Sequence, residues 1–328
     1  MDKPVGIREN IALAPLSGYQ TGGPARFFLE TADQELLQDA LLWAQNEGLD
    51  VFFLGGGTNV LFPDEPLNRL VIHWCRKGIW GDDDDLSIGA GENLQNVVDY
   101  ALDTDIKNYA WAAGLPGSVG AAVRGNVGAF GNDLSHLFHS ADCLRLENPS
   151  TIISMTHADM LFAYRHSQVK TWNALVLHVR LKRESGTKVE MENERSAAER
   201  NLEFRNQRHP LNYPNCGSVF KNINDPEVVA QLISHEADWE YKNKQQWHGK
   251  IPAAAILEAV GLKGFQIGKA AFSDLHANFI INRGKATSRD VLGLIQKAQK
   301  TVEQRFGVTL TPEIQILKNT TNELYTGG

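Results

Sequence analysis

A chain of 328 residues can bury a sizeable core and, as a first expectation, make two domains. Its 32 Lys and Arg against 39 Asp and Glu leave a net charge of −7. That excludes any broad field for nucleic acid or an anionic membrane, so a phosphate-bearing ligand must find local donors.

The three cysteines, Cys75, Cys143 and Cys216, are far apart and form no CxxC pair. They argue against a disulfide framework and a zinc site, so no metal is expected, and they fit a reducing compartment. The opening MDKPVGIREN carries no apolar signal-type stretch, and no segment approaches transmembrane length. A cytoplasmic protein without membrane partners is expected.

In chain order, Leu36, Leu37, Ala40, Leu41 and Ala44 recur at helical spacing, and Gly48 stops the helix. Val51, Phe52, Phe53 and Leu54 read as a buried strand running into Gly55-Gly56-Gly57, and a second strand is expected over residues 70–73. The acidic run 82–85 reads as a solvated turn. Leu94, Val97, Val98, Ala101 and Leu102 suggest a second helix, and residues 175–181 form another apolar run. Residues 184–206 are highly charged, and their pattern leaves strand and helix open. Finally Val291, Ile295, Ala298, Val302 and Phe306 mark one face of an amphipathic helix, with Thr287 and Asp290 as a capping box and Gly307 as its stop. The expected class is α+β with several mixed sheets.

Two glycine-rich segments carry the functional signal. LGGGTNVLF (residues 54–62) places Gly55, Gly56 and Gly57 directly after a strand, where a backbone without Cβ atoms can approach a ligand and offer N–H groups to phosphate. Thr58 and Asn59 add side-chain hydrogen bonds. It is neither a P-loop nor a Rossmann fingerprint, and a plain tight turn is the alternative. AAGLPGSVGAAVRGNVGAFG (residues 112–131) interleaves six glycines with small apolar residues. Close approach to a large extended ligand explains it; core packing of small residues is the competing account. The pair suggests a dinucleotide held in extended form.

At these residues the chain resembles a family. GGGTN, GLPGSVGAA and GNVGAFG look like the flavin-binding signatures of the UDP-N-acetylenolpyruvoylglucosamine reductases, and GGPARFF (residues 22–28) resembles their N-terminal motif. Further on, Tyr164-Arg165-His166-Ser167, GSVFKN (residues 217–222) and LTPE (residues 310–313) resemble the family's YRxS, GSxFKN and LxPE motifs in the same order. GLKGFQIGKAAFS and HANFIIN also look like its substrate domain. The resemblance covers residues 15–318.

The resemblance implies a two-part FAD-binding domain of the vanillyl-alcohol-oxidase type, over residues 1–73 and 74–190, and a C-terminal α+β substrate domain over 191–328. Whether the last residues return to the first part is left open. FAD contacts are implied at Gly55, Gly56, Gly57, Thr58, Asn59, Gly114, Leu115, Pro116, Gly117, Ser118, Val119, Gly120, Asn126, Gly128 and Ala129. Tyr164, Lys221 and Asn222 are implied to contact a UDP-sugar, and NADPH is implied as the reductant. No nucleic acid and no obligate protein partner are implied.

The implied reaction explains the residue types. Hydride added to the β-carbon of an enol ether leaves charge on the α-carbon, delocalised into its carboxylate. Arg165 matches the family's arginine there, a guanidinium that stays charged and binds carboxylate bidentately. Ser218 matches the family's proton donor, a weak acid whose effect rests on position and a relay. Glu313 matches the family's carboxylate, which must be protonated if it acts as an acid.

Some features depart from the family. Phe130 replaces the usual tyrosine. No equivalent of a mobile tyrosine-bearing loop stands out within residues 182–215, and Tyr213 lies too close to the Gly217-Ser218 turn. Residues 224–250 are longer than in compact members and carry Trp239, Tyr241 and Trp247. They read equally as a lid stacking uracil or a surface helical hairpin. His276 and Asn278 read equally as packing or site residues. Two other functions compete: another FAD oxidoreductase of the superfamily, such as an alcohol oxidase, and a non-catalytic flavin- or nucleotide-sugar-binding protein. The GSVFKN and PE motifs oppose the first, and the intact Arg165, Ser218 and Glu313 oppose the second.

Overall fold

The computed structural model describes residues 2–81 and 84–319, so part of the acidic run 82–85 lies outside the described residues. The chain divides into two compact units built from interleaved segments. The first takes residues 1–11, 25–57 and 68–207; the second takes 12–24, 58–67 and the chain from 208 onward.

In the first unit, the helix Gln34–Asn46 buries Leu37, Ala40, Leu41, Trp43 and Ala44, the apolar stripe visible in the sequence. Asp33 caps it by accepting from the N–H groups of Glu35 and Leu36. The strand Val51–Leu54 follows and pairs in parallel with Leu67–Trp74. Pro24–Thr31 and Arg8–Ala12 complete this four-stranded sheet on the other side of Leu67–Trp74. A second sheet of five strands runs in the order Asn148–Thr156, Phe138–Arg145, Ala174–Lys182, Asp85–Gly89, Ile79–Gly81, all antiparallel. One apolar cluster joins both sheets, with Leu41, Trp43, Ile72 and Trp74 from one side and Val98, Phe138 and Val179 from the other.

The charged stretch left open between strand and helix is a helix, Lys188–Arg208. It buries only Met191, Ala198 and Arg205, one residue in every seven, so it shows no apolar stripe. Polar contacts hold it instead. Lys107 pairs with Glu190 at 2.8 Å, Arg195 donates to the Leu102 carbonyl at 2.7 Å, and Glu194 accepts from the Ala110 N–H at 3.0 Å. Asn201 donates to the Ala110 carbonyl at 2.9 Å and Arg205 to that of Ala113 at 2.9 Å.

In the second unit, the helix Ser288–Phe306 packs on a three-stranded antiparallel sheet of Gln266–Ile267, Ala270–Phe272 and Ile280–Asn282. Both halves of the expected Thr287/Asp290 capping box are present, and Gly307 ends the helix at φ 68°. Gln315–Ile316 pairs in parallel with Val60–Leu61. Within residues 224–250 lie the helices Pro226–Ile233 and Trp239–Gln245. Trp239 is buried, 5.9 Å from the Trp247 ring and 5.7 Å from Phe306. That side chain serves the core and is not offered for stacking a base. Among the described residues no helix is long and apolar enough to cross a membrane.

Candidate active site

The two glycine-rich loops meet inside the first unit. A Cβ built on Gly56 would lie 3.1 Å from the Gly117 Cα, and one on Gly55 would lie 2.7 Å from Ser118 Oγ. Gly117 itself has φ 114°, a conformation that side-chain-bearing residues rarely adopt. At Gly56 and Gly117 backbone meets backbone, with the Ser118 hydroxyl beside Gly55. Main-chain N–H groups and that hydroxyl are the local donors a phosphate-bearing ligand needs, so the cradle fits a dinucleotide.

The loop 114–120 is held from beneath. Gly114 donates its N–H to Gln95 Oε1 at 2.6 Å, Leu94 to the Gly117 carbonyl at 3.0 Å, and Val119 to the Glu92 carbonyl at 2.9 Å. The Glu92 side chain is buried and accepts from the N–H groups of Gly78 and Asn93 and from Asn96 Nδ2. Burial acts to raise its pKa, but these three donors outweigh it and hold the carboxyl below its ordinary value. Sequence reasoning did not single out Glu92 or Gln95; their only signal is proximity to a helix start.

Beyond Ser118 the small-residue run continues as a helix, Val119–Gly125. Asn126 closes it at φ 41°. Its amide donates to the Ala163 carbonyl at 3.1 Å and its side-chain oxygen accepts from the Ser135 N–H at 3.1 Å. Asn126 therefore ties the GNVGAFG segment to the YRHS segment, with Gly128–Ala129 forming a short strand just after it. Leu115 is half-buried and Pro116 is exposed on the loop.

Arg165 stands at the tip of a tight turn closed by reciprocal backbone bonds between Ala163 and His166. Its φ of 56° lies in the left-handed region that long side chains seldom adopt. Its Nη2 donates to the Gly128 carbonyl at 3.0 Å, and its guanidinium lies 5.1 Å from the Tyr164 ring centroid. Buried Ser167 fastens the turn by donating to the Arg124 carbonyl at 2.8 Å.

Within the second unit the structure brings the other chemistry-bearing motifs together. The Glu313 N–H donates to the Val219 carbonyl at 2.7 Å, the Lys221 N–H to the Thr311 carbonyl at 2.9 Å, and Phe220 pairs with Pro312. Ser218 to Asn222 thus runs alongside Thr311 to Glu313. Asn278, left undecided by the sequence, is buried and fixes this junction. It accepts from the Phe220 N–H at 3.0 Å and donates to the Phe220 carbonyl at 2.9 Å. His276 Nδ1 accepts from the Asn278 N–H at 3.2 Å, and burial lowers the imidazole's pKa, which favours the neutral acceptor form. Asn222 Oδ1 accepts from the Ala253 N–H at 3.1 Å. Asn59 donates to the Glu313 carbonyl at 3.3 Å, so it and Thr58 belong to this unit. Cys216 is buried, and burial pushes its thiol up to about 12, which makes it an inert packing residue.

Residues 25–147 match the family described as FAD binding domain, which defines the class: this is a flavoprotein whose cofactor domain contains both glycine loops. Residues 209–317 match the family described as UDP-N-acetylenolpyruvoylglucosamine reductase, C-terminal domain. Curated reductases of that name align along nearly their whole length. The one from Solibacter usitatus is 34% identical over 93% of this chain and 95% of its own, and the one from Synechococcus elongatus is 33% identical over 95% and 94%. The chain belongs to the UDP-N-acetylenolpyruvoylglucosamine reductase family. The fold agrees: the reductase crystal structure from Thermus caldophilus superposes with a TM-score of 0.73 at 22% identity, covering 95% of this chain and all of that one. The α+β class, with an FAD-binding domain and the family's C-terminal domain, is therefore the one that the resemblance implied.

Proposed function

We propose that this chain reduces the enolpyruvyl group of UDP-N-acetylglucosamine enolpyruvate to UDP-N-acetylmuramate, with NADPH as reductant, in the cytoplasmic stage of peptidoglycan synthesis. In this reading the blocks 1–73 and 74–190 bear the flavin and 191–328 the substrate, except that the helix Lys188–Arg208 groups, up to Gln207, with the flavin-bearing unit and residues 12–24 and 58–67 with the other. Bound FAD supplies two-electron hydride transfer; the chain's own residues do the rest. The loops at Gly55, Gly56, Gly57, Gly114, Gly117 and Gly120 bind the dinucleotide through main-chain donors. Arg165 binds the substrate carboxylate and stabilises the charge delocalised into it. Ser218 Oγ gives its proton to the α-carbon as the hydride's electron pair reaches the β-carbon, and recovers a proton from solvent. Glu313 helps hold the intermediate, while Lys221, Asn222 and Tyr164 bind the UDP-sugar. The net change adds hydride and proton across one C=C bond and consumes NADPH and a proton.

The observation that carries this reading is the junction where the Glu313 N–H bonds to the Val219 carbonyl, holding the GSVFKN and TPE segments in register. Ser218→Ala tests it by separating the half-reactions. Flavin reduction by NADPH should stay within a few-fold of wild type, because no substrate carbon is protonated in that step. Reoxidation by the enolpyruvyl substrate should slow on the order of 10²–10⁴-fold, the usual cost of losing a positioned general acid. Stopped-flow absorbance reads both; equal slowing of the two, or of neither, makes Ser218 structural and turns suspicion to Glu313.

A further inference from the structure

We propose that Glu30, His73 and Cys75 form a binding site for a zinc-class divalent cation, and that the bound ion staples the neighbouring strands Pro24–Thr31 and Leu67–Trp74. The inference stands apart from the flavin and substrate readings, which use none of the three residues. Among the described residues this is the one group of three His, Cys, Asp or Glu side chains whose ligand atoms all lie within 4.8 Å of one another. Positions 30, 73 and 75 make no metal-motif spacing, so the cysteine pattern alone spoke against zinc. The sheet brings them together.

Three observations support it. First, the backbone fixes the site. The two strands are neighbours in the four-stranded sheet, and the Cys75 N–H donates to the Thr31 carbonyl at 2.9 Å, which ties their ends together. Successive side chains alternate between faces, so His73 and Cys75 share one face. Trp74 between them is buried on the other, its Nε1 donating to the Leu177 carbonyl at 3.3 Å. Second, the spacing suits a small tetrahedral ion. Bonds of about 2.0–2.1 Å to nitrogen or oxygen and about 2.3 Å to sulfur put neighbouring ligand atoms about 3.3–3.6 Å apart. His73 Nδ1 lies 3.0 Å from Glu30 Oε2, and the whole set lies within 4.8 Å. The Glu30 side chain is 50% exposed and can swing, so a shift of about 1 Å closes the set around an ion. Third, chemistry and charge match. Thiolate, imidazole and carboxylate are the ligand types of protein zinc sites. One thiolate and one carboxylate cancel the two charges of the ion, and the Cys75 proton leaves to solvent as it binds. The thiol donates to the His73 carbonyl at 3.6 Å, a long contact that coordination readily replaces, and Cys75 is exposed enough for an ion to reach.

The test uses the full-length, flavin-loaded protein, kept reduced with a phosphine and freed of metal with EDTA. Zn²⁺ competition against a chromophoric chelator should show one tight site per chain. X-ray absorption fine structure at the zinc edge should show one sulfur at about 2.3 Å, with nitrogen and oxygen at about 2.0–2.1 Å. Cys143 and Cys216 are buried, so that sulfur belongs to Cys75. Losing an outer-shell partner of a metal typically weakens binding about ten- to a hundredfold. Cys75→Ser and His73→Ala, which each remove a ligand, should weaken it by at least about a hundredfold, and Glu30→Gln by about ten- to a hundredfold. Zn²⁺ should raise the melting temperature of the wild type and leave that of Cys75→Ser unchanged. Without metal, Cys75→Ser and Glu30→Gln should hold flavin and melt like wild type, because each replaces a partly exposed side chain by one of similar size. Binding as tight in Cys75→Ser as in wild type, or a zinc shell without sulfur, overturns the site. So does a wild type that takes up no zinc. Several weak equivalents per chain that persist in His73→Ala overturn it too, since they mark an adventitious ion only.

Discussion

At Gly56 a hydrogen atom in place of a methyl group lets the two glycine loops approach each other. A Cβ there meets the Gly117 backbone at 3.1 Å, closer than ordinary van der Waals contact. Gly56→Val should therefore abolish the yellow colour of the purified protein, and flavin released on denaturation should fall to a small fraction of the protein present. Full flavin content in a folded Gly56→Val protein would show that the loops can separate without loss of binding. Glu92 acts at the same scale through charge. Replacing it with Gln weakens three hydrogen bonds to a buried carboxylate and should cost about 1–3 kcal/mol in urea unfolding at neutral pH. Its folded pKa is depressed, so the stabilisation is present above the ordinary carboxylate value and is lost as pH falls through the folded value. The gap between wild type and Glu92→Gln should accordingly shrink on acidification; a gap that widens refutes the charged role.

Elements show how local rules and tertiary partners divide the work. The helix Ser288–Phe306 obeys every local rule, with an apolar stripe, a capping box and a left-handed glycine stop. Thr287→Ala removes the hydroxyl that accepts from the Asp290 N–H, and should cost about 1 kcal/mol by urea melt. Thr287→Ser, which keeps the acceptor, should recover most of it. The helix Lys188–Arg208 obeys no such pattern. Besides ion pairs with Lys107 and Asp105, its contacts are to backbone groups of Leu102, Ala110 and Ala113, and those groups exist in every sequence. Nothing in the order of its charges announces which of them has a partner.

For the whole molecule, cofactor and folding are linked. FAD binds the folded chain, so at a hundredfold excess over Kd it should add about 2.7 kcal/mol to stability and raise the melting temperature accordingly. NADPH alone should bleach the bound flavin, and the colour should return with the enolpyruvyl substrate, or only slowly in air. Fast catalytic peroxide formation would instead favour an oxidase of the same superfamily.

The sequence by itself determined whatever is local or written as motif order. Helix periodicity, the capping box, the strand running into three glycines, and the succession of GGGTN, GLPGSVGAA, YRHS, GSVFKN and TPE led to the family before any coordinates. Each is a property of residues near one another in the chain. Only the tertiary structure decided what distant segments do together. It placed Gly56 against Gly117, made a helix of Val119–Gly125 within the glycine-rich run, and gave Asn278 the task of holding Phe220. It also turned Trp239 into core, and left Arg205 buried against Gly114. Those outcomes depend on backbone groups and on the space between segments far apart in sequence, and neither varies with side-chain order in a way that a single chain reveals.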